Sequence, residues 1–592
     1  MGSELQVKLL VTTAIEEAWG NDRPVVFLGE WCKLYGRKAV WSVLSSQTVP
    51  NHWDDRKKLR NDHDYLKELY GLLLVDIARA MNEYHQIERP LRYWQMVVGA
   101  WLLSYVAVIW DRWECLRLAF SESERLETVE LSSIAGLRAS SDYSDFSGQI
   151  NSDQWNYHIF LEIIKAQYAR QCKIIAAPET SHPPGDLGGG GRKRETATFK
   201  HKAARFVDGL LARLPSRGRV VFFQSYFPPR ALLRLNMSLM QLPRLYWSEF
   251  DGPTTKYVTS GSDHDPDRGK IKLTLLPRTA FEAFLIGRIA RDIPSAYAEG
   301  FEVLRAWADR IALSPKVILT ASAHWANEAF KVWSAEQVFR GAKLVIMDNG
   351  GSFPPAFGNM SFPDDIADVR TKWSIPFHSK HIRLPANKLA DFRLESTKEY
   401  LAVVGNEMPR YTYRAHAHPH SGQTLVGYNM VCELYSLLAD EIKSSFRVKP
   451  YPDRGWNIRQ RYIDNLGREK VSDERSFYGY LSRARIVVAT YPQTTFSEAM
   501  ASGLPAILYY PAHLWETIHE MDPLLEVLKD AKIIFHSPES AANHINDIWS
   551  APDIWWNSPD VLRARREFHR QISCIESNWL KAWLTFINGL LR

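Results

Sequence analysis

The feature that most constrains the fold is an alternation of short apolar runs with longer amphipathic stretches along the chain. The runs are rich in Val, Ile and Leu and are bounded by Gly, Pro and polar turn residues. Such runs are typical of strands buried in a parallel sheet, and helices must connect parallel strands. The alternation therefore predicts an α/β fold of parallel sheets covered by helices. The runs lie at residues 8–13, 24–29, 219–224, 270–276, 316–320, 343–347, 400–404, 446–449 and 485–489.

The chain length predicts more than one domain, because 592 residues are too many for a single hydrophobic core. We predict an N-terminal α/β domain with helical insertions over residues 1–385 and a C-terminal Rossmann-like domain over residues 386–550. A helical tail follows over residues 551–592. The Gly- and Pro-dense stretch within residues 177–200 predicts a loop. Two such domains place a ligand site in the cleft between them, at the carboxyl ends of the strands.

The residue composition narrows the classes of function. The net charge of 73 − 67 = +6 is mild, which argues against a nucleic-acid binder and suits an enzyme that handles anionic sugars or nucleotides. The five cysteines match no metal-binding spacing, so we expect neither a zinc site nor a disulfide framework. The first residues contain no apolar segment of the kind a signal peptide needs, and we expect a cytoplasmic protein.

One uncharged stretch, residues 93–110, approaches the length of a membrane-spanning helix. Gln95, Gly99 and Ser104 weaken its apolar character, and charged residues bracket it closely. We therefore predict a buried core helix.

A hydroxyl-rich turn follows the apolar run 485–489 and is the strongest candidate for a phosphate site. Thr494 and Thr495 lie where a helix begins, so their hydroxyls and the free N–H groups of the first turn favour an anion. Glu498 fits a capping box with Thr495. Gly503 fits a helix stop before a second strand at residues 506–510. Ordinary capping explains the same residues without a ligand.

A basic strand end precedes this turn by one strand–helix unit. Lys449, Tyr451 and Arg454 follow the run 446–449, and two cations with a nearby hydroxyl suit a phosphate. A solvated turn with incidental charge is the alternative.

Three carboxylates are candidates for catalysis. Asp348 begins an Asp-Asn-Gly-Gly turn at a strand end, where a base or nucleophile can approach a substrate closely, although an Asx turn has the same sequence. Glu17 and Glu30 follow the first two strands, where a transferase needs a general base. The preference of helix starts for acidic residues also explains Glu17. His416, His418 and His420 lack an accompanying carboxylate spacing, so we expect loop or surface histidines and no metal site.

A combination of motifs runs from the first strand to near the carboxyl terminus: TTAIEEAW at 12–19, FLGEWC at 27–32, RYW at 92–94, WL at 101–102, TYPQTTFSE at 490–498 and WW at 555–556. Together they resemble a bacterial family of surface-carbohydrate transferases. The resemblance implies a GT-B-like fold, in which two Rossmann-type domains face a cleft, with a largely helical C-terminal tail. It also implies an association with lipopolysaccharide or capsule biosynthesis.

A more distant resemblance is to bacterial Kdo and sialic-acid transferases, which use CMP-activated sugars. In those enzymes a strand-end His-Pro element and a Ser/Thr pair hold the CMP, and an acidic-Gly element supplies catalysis. By position, residues 449–452 resemble the first element, Thr494-Thr495 the second and residues 348–350 the third. The chain departs at Tyr451, which replaces the histidine-like position, and at Asp348-Asn349, where the surface-carbohydrate family commonly has Gln-His.

These observations predict a glycosyltransferase that moves a sugar, such as CMP-activated Kdo, from a nucleotide donor to a surface glycan or lipid-linked acceptor. The expected donor-binding residues are Lys449, Tyr451, Arg454, Thr494, Thr495 and Glu498, and the expected catalytic carboxylates are Glu17, Glu30 and Asp348. We expect no metal, no separate cofactor and no nucleic-acid partner, and peripheral association with the inner face of the membrane stays open. Two alternatives remain: a polyol-phosphate transferase of teichoic-acid type, and a non-catalytic GT-B-like glycan-binding protein. A nucleotide-sugar epimerase ranks lower, because no second acid–base pair is evident.

Overall fold

The described residues form three separate five-stranded sheets, and every strand pair within them is parallel. The structure, a computed structural model, describes residues 7–19, 23–121, 125–132, 138–177, 208, 218–250 and 266–592. The Gly- and Pro-rich loop predicted within 177–200 lies outside them, apart from Ala177.

The first sheet has the strand order β3-β2-β1-β4-β5. Its strands are β1 (Lys8–Val11), β2 (Val25–Phe27), β3 (Ser46–Thr48), β4 (Leu126–Glu130) and β5 (Cys172–Ala176). Two long helices, α2 (Arg56–His85) and α3 (Leu91–Ser121), lie between β3 and β4.

The middle sheet has its strands in sequence order, β10-β9-β8-β7-β6. Its strands are β6 (Val220–Phe222), β7 (Val317–Thr320), β8 (Lys343–Met347), β9 (Val369–Lys372) and β10 (His381–Arg383). The last sheet has the order β12-β11-β13-β14-β15. Its strands are β11 (Tyr400–Val404), β12 (Phe446–Lys449), β13 (Ala484–Ala489), β14 (Ala506–Tyr509) and β15 (Ile534–Phe535).

The α-helices cover the sheets and fill the connections between strands. They are α1 (Lys38–Trp41), α2 (Arg56–His85), α3 (Leu91–Ser121), α4 (Tyr143–Gln149), α5 (Asp153–Gln167), α6 (Pro229–Ser238), α7 (Trp247–Phe250), α8 (Ala280–Asp292), α9 (Phe301–Arg310), α10 (Ala323–Ala326), α11 (Glu328–Phe339), α12 (Phe362–Ile366), α13 (Thr424–Leu437), α14 (Asp440–Ser445), α15 (Ile458–Leu466), α16 (Phe477–Leu481), α17 (Thr494–Ala501), α18 (Asp522–Asp530), α19 (Pro538–Ile548), α20 (Pro552–Trp556), α21 (Pro559–Gln571) and α22 (Trp579–Leu591).

Helix α3 confirms the prediction of a buried core helix. Among the described residues it is the one helix long and apolar enough to cross a membrane, and 94% of its most apolar window is buried inside the protein. Trp94, Trp101 and Tyr105 are fully enclosed. The apolar side chains of this uncharged stretch therefore pack inside the protein.

The carboxyl-terminal helices connect the last sheet to the middle sheet. Helix α21 packs in the core of the last sheet through Val561 and Phe568. Helix α22 instead packs on the middle sheet through Trp579 and Trp583, and the Trp583 indole N–H donates to the Pro385 carbonyl at 2.9 Å. The predicted fold class is confirmed: parallel α/β sheets facing a cleft, with a helical carboxyl-terminal region.

Strands form at every predicted run except residues 270–276. There the backbone donors bond to a carboxylate instead of a neighbouring strand. The N–H groups of Thr274 and Leu275 donate to Asp76 on α2 at 2.7 and 2.8 Å, and the Thr274 hydroxyl donates to Asp76 at 2.9 Å. The predicted boundaries at 386 and 551 stay predictions, and the topology divides the stretch 1–385 between two sheets.

One loop links the first and last sheets. Residues 405–423, between β11 and α13, form what we call the bridging loop. Its Arg410 pairs with Asp153 at the start of α5, and the Tyr411 hydroxyl donates to the same carboxylate at 2.6 Å. Arg112 on α3 donates to the Thr412 carbonyl at 2.7 Å. Because Arg410 and Asp153 are each 2% exposed, this link is a buried ion pair.

Replacing Asp153 by Ala removes the carboxylate that Arg410 and Tyr411 share and leaves a guanidinium buried without its counter-ion. We expect the free energy of unfolding to fall by about 3–5 kcal/mol. The measurement is the shift of the urea unfolding midpoint.

The matched control is Asp309→Ala, which removes an ion pair with Arg340 whose side chains are both about half exposed. Exposed pairs contribute about 0–1 kcal/mol. A shift for Asp153→Ala no larger than this control would contradict the structural role assigned to the buried pair.

Candidate functional site

A cleft of about 560 Å³ lies between the carboxyl edges of the middle and last sheets. All six predicted donor-binding residues line it. They come from two neighbouring places in the last sheet: the end of β12 with the turn that follows it, and the first turns of α17. Tyr226, Asn349 and Lys388 close the cleft from the side of the middle sheet. The full predicted set is Lys449, Tyr451, Arg454, Thr494, Thr495 and Glu498.

The phosphate-type turn has the predicted geometry. Helix α17 begins at Thr494, and both threonines are half-buried in the cleft lining. The N–H group of Phe496 already donates to the Gln493 carbonyl at 2.9 Å, whereas the N–H groups of Thr494 and Thr495 precede the helix's own hydrogen bonds and can serve a ligand. The Thr495 hydroxyl shares a hydrogen bond with the hydroxyl of Tyr491. Gly503 has a φ of +77° just after the helix, which confirms the predicted glycine stop.

The predicted capping box is wrong. The residue before α17 is Gln493, and it makes no side-chain capping bond. Glu498 instead pairs with Lys388 at 2.5 Å and accepts the Tyr478 hydroxyl at 3.0 Å. Glu498 is 3% exposed, and both of its partners come from other segments of the chain. Glu498 therefore ties the last sheet to the segment that follows the middle sheet.

The basic strand end lies opposite this helix. The Lys449 ammonium donates to the Glu474 carbonyl, and burial lowers the pKa of Lys449. The Arg454 guanidinium lies over the Tyr451 ring at 5.5 Å. Lys388 and Arg414 also line the cleft, so the lining carries four cations against the carboxyls of Glu407 and Glu498. An anionic ligand suits this balance.

Asp348 adjoins the cleft but is not part of its lining. Its carboxylate accepts from Lys372 at 2.8 Å and from Arg370 at 3.3 Å. Burial lowers the pKa of Lys372, and the Asp348 charge opposes that effect. The following residue, Asn349, does line the cleft. The two glycines beyond it approach α17 so closely that a Cβ on Gly350 would lie 1.9 Å from the Thr494 hydroxyl.

Glu17 and Glu30 lie at the edge of the first sheet and are not among the cleft-lining residues in the described part of the chain. Glu17 is exposed on a short 3-10 helix, Glu16–Ala18. Glu30 pairs with Lys33 at 2.7 Å and packs behind the bridging loop, where a Cβ on Gly422 would lie 2.9 Å from the Glu30 Cβ. The structure therefore separates these two carboxylates from the predicted donor residues.

The ligand-facing edge of the first sheet is covered by the bridging loop. The Trp31 indole N–H donates to the Thr12 carbonyl at 2.9 Å, and the Trp31 ring lies 5.8 Å from that of Tyr411. The Ala14 N–H donates to Asp153 at 3.2 Å. Protein groups thus occupy the place where a doubly wound sheet with this strand order would hold a ligand.

Glu407 is a cleft residue that the sequence analysis missed. It lies just after β11, and its carboxyl is 3% exposed. Burial, followed by the charge of Asp453, raises the pKa of Glu407 to about 8. Its position at the carboxyl end of a predicted strand is the signal that could have identified it.

The three histidines lie in a loop, as one of the two expected positions, but they are buried and not at the surface. The rings of His416, His418 and His420 lie 4.9 and 4.7 Å apart in sequence order. Burial lowers the pKa of all three, which keeps them neutral at pH 7.

Within the described residues, three groups of side chains have metal-ligand proximity, but each already contains a paired carboxylate. They are His52–Asp111–Cys115, His52–Asp62–Glu114 and Asp364–His378–His381. Arg112 pairs with Asp111, Lys58 with Asp62 and Glu114, and Arg370 with Asp364. A positively charged side chain therefore already neutralises the carboxylates that a metal ion would bind.

A family model described as LIC12162 family transferase matches residues 8–587. The chain belongs to this family. No protein of curated function matches the chain. As a member of the LIC12162 family it is a transferase by family description, and the match covers all three sheets.

Solved structures resemble this LIC12162 family member only distantly. Staphylococcus aureus MnaA with UDP is 8% identical over 63% of this chain and 96% of its own, with a TM-score of 0.33. Acinetobacter baumannii MurG is 12% identical over 49% and 79%, with a TM-score of 0.27. Burkholderia multivorans trehalose 6-phosphate synthase is 10% identical over 52% and 78%, with a TM-score of 0.31. These likenesses carry no argument about substrates.

Replacing Gly350 by Ala places a Cβ against Thr494, so α17 or the strand-end turn must move. Overpacking of this kind costs about 1–3 kcal/mol. We expect a lower melting temperature and, because Thr494 lines the cleft, weaker binding of any cleft ligand.

The control is Gly287→Ala, at an exposed position in α8 where a Cβ meets nothing within 4 Å. An Ala there stabilises the helix by up to about 1 kcal/mol. If both variants melt at the wild-type temperature or above, the close approach of Gly350 to Thr494 is not a constraint.

Proposed function

We propose that this transferase is a glycosyltransferase that binds a nucleotide-activated sugar in the cleft between the middle and last sheets. The observation that carries the proposal is the convergence of all six predicted donor-binding residues on that one cleft. A helix start with two hydroxyls faces a cationic strand end across it, and this combination suits a phosphate.

The finer proposal names a CMP-activated acidic sugar, such as Kdo, as donor and a surface glycan or lipid-linked molecule as acceptor. It rests on the positional resemblance of residues 449–452 and Thr494-Thr495 to the CMP-binding elements of Kdo transferases. The cationic lining of the cleft supports a donor with a negatively charged sugar. We also propose that the protein works in the cytoplasm, at the inner face of the membrane.

We propose that the reaction needs no metal and no separate cofactor. The helix dipole of α17 and the cations Lys388, Lys449 and Arg454 can stabilise the negative charge that develops on a leaving phosphate. Asp348 adjoins the cleft through Asn349, whereas Glu17 and Glu30 lie at the edge of the first sheet. Asp348 is therefore the catalytic carboxylate that we propose to test first.

Removing the two hydroxyls at the start of α17, with Thr494→Ala and Thr495→Ala together, should weaken nucleotide binding. Each hydrogen bond to a charged phosphate contributes about 1.5–3 kcal/mol, so we expect a loss of at least about tenfold in affinity. Calorimetric titration with CMP, UDP and GDP measures the change.

The matched control is Ser537→Ala with Ser540→Ala, which removes two hydroxyls at the start of α19, away from the cleft. That variant should bind nucleotides as the wild type does. Unchanged affinity in the threonine variant would refute the assignment of the phosphate site.

Incubation with CMP-Kdo and, separately, with CDP-glycerol distinguishes the candidate reactions through release of CMP. A sugar transferase of the proposed type releases CMP from CMP-Kdo, and a polyol-phosphate transferase releases it from CDP-glycerol. Nucleotide binding without release from either donor, in the presence of a membrane extract as acceptor source, favours the non-catalytic glycan-binding alternative.

A further inference from the structure

Among the described residues, one oxygen of the Glu407 carboxyl accepts hydrogen bonds and the other has no partner. Its Oε1 accepts the backbone N–H groups of Arg454 at 2.7 Å and Trp456 at 3.1 Å. Its Oε2 is enclosed and has no hydrogen-bond partner among the described residues. A buried polar atom without a hydrogen-bond partner destabilises a fold. Protonation of this oxygen, a hydrogen bond to a ligand, or both would remove that cost.

Within the described ranges, no cation forms an ion pair with the Glu407 carboxyl, and the nearby Arg461 donates to the Trp456 carbonyl instead. Asp453 lies on the loop that holds Oε1, and both its negative charge and its side chain beside the Glu407 carboxyl act with burial to favour the protonated form. Arg461 and Tyr462 face Glu407 from α15. The result is a pKa of about 8, so the group carries its proton at neutral pH.

The position of Glu407 in the cleft lining places this neutral carboxyl beside the proposed phosphate site. Glu407 lines the same cleft as Thr494, Thr495, Lys449 and Arg454. An ionised carboxylate among them would repel a phosphate, whereas a protonated carboxyl adds one more donor. A carboxylic acid kept neutral by an apolar site so that it can donate is an established physical pattern.

We propose that Glu407 is a ligand-binding residue whose protonated carboxyl donates a hydrogen bond to a phosphate oxygen of the bound nucleotide donor. The inference rests on the proposed function, because it needs a nucleotide in this cleft. It assigns to the bridging loop a direct contact with the donor in addition to its structural link to the first sheet. It also predicts that donor binding weakens when Glu407 loses its proton.

The test compares Glu407→Gln and Glu407→Ala with the wild type in calorimetric titrations with CMP, UDP and GDP between pH 6.5 and 9.5. Gln keeps the shape and an N–H donor without titrating, so it should bind as the wild type does at pH 7. Ala should lose about tenfold or more in affinity, the effect of one hydrogen bond to a charged group. Glu520→Gln, at an exposed position, is the control for the substitution itself.

The pH profile separates ligand contact from a structural role. Because the pKa of Glu407 is raised, the proton and its hydrogen bond are present below about pH 8 and lost above it. Wild-type affinity should therefore fall through about pH 8 more steeply than that of Glu407→Gln. Loss of charge on Lys449 would act equally on both proteins, so the difference between the two profiles reports Glu407.

Three results would overturn the inference. Equal affinity and equal pH profiles in all variants would show that Glu407 makes no ligand contact. Full binding by Glu407→Gln with abolished turnover would show that the carboxylate acts as a base. Weaker binding by Glu407→Gln than by Glu407→Ala would show that the ionised form contacts the ligand. If the wild type binds no nucleotide, the proposed function itself fails.

Discussion

The buried contact of Arg410 with Asp153 is the interaction on which the geometry of the cleft depends. It fixes the bridging loop, which carries Glu407 on its cleft side and Tyr411 on the side of the first sheet. The Tyr411 ring lies 5.2 Å from the Arg410 guanidinium and 5.4 Å from that of Arg112. Two buried cations therefore lie against one aromatic ring, and each has its own carboxylate: Arg410 pairs with Asp153 and Arg112 with Asp111. Through this loop, contacts with the first sheet hold cleft-lining residues in place.

Asp111 shows how the other half of this network is kept charged. Burial alone would raise the pKa of Asp111, but the charge of Arg112 and the hydrogen bond from His52 outweigh it and lower the pKa to about 2. A carboxylate with a lowered pKa stabilises the fold above its unfolded value and loses that contribution only as the pH falls towards 2. The network therefore holds the bridging loop across the neutral pH range in which Glu407 carries its proton.

Local sequence signals predicted nine of the fifteen described strands and six of the residues that line the cleft, because both depend on short segments. A strand end such as Lys449 and a helix start such as Thr494 occupy the same sheet edge whatever the rest of the chain does. Contacts between distant segments could not be predicted in this way. Glu498 pairs with Lys388 instead of capping its own helix, and residues 270–276 bond to Asp76 instead of joining a sheet. The same limit hid the division of residues 1–385 between two sheets, which leaves Glu17 and Glu30 on the first sheet and outside the cleft lining.

A crystal structure of the protein soaked with CMP or UDP tests the central claim most directly. The account predicts nucleotide density in the cleft between the middle and last sheets, with the phosphate at the start of α17 beside Thr494 and Thr495 and within reach of Glu407. Density at the carboxyl edge of the first sheet, with the cleft free of nucleotide, would contradict it.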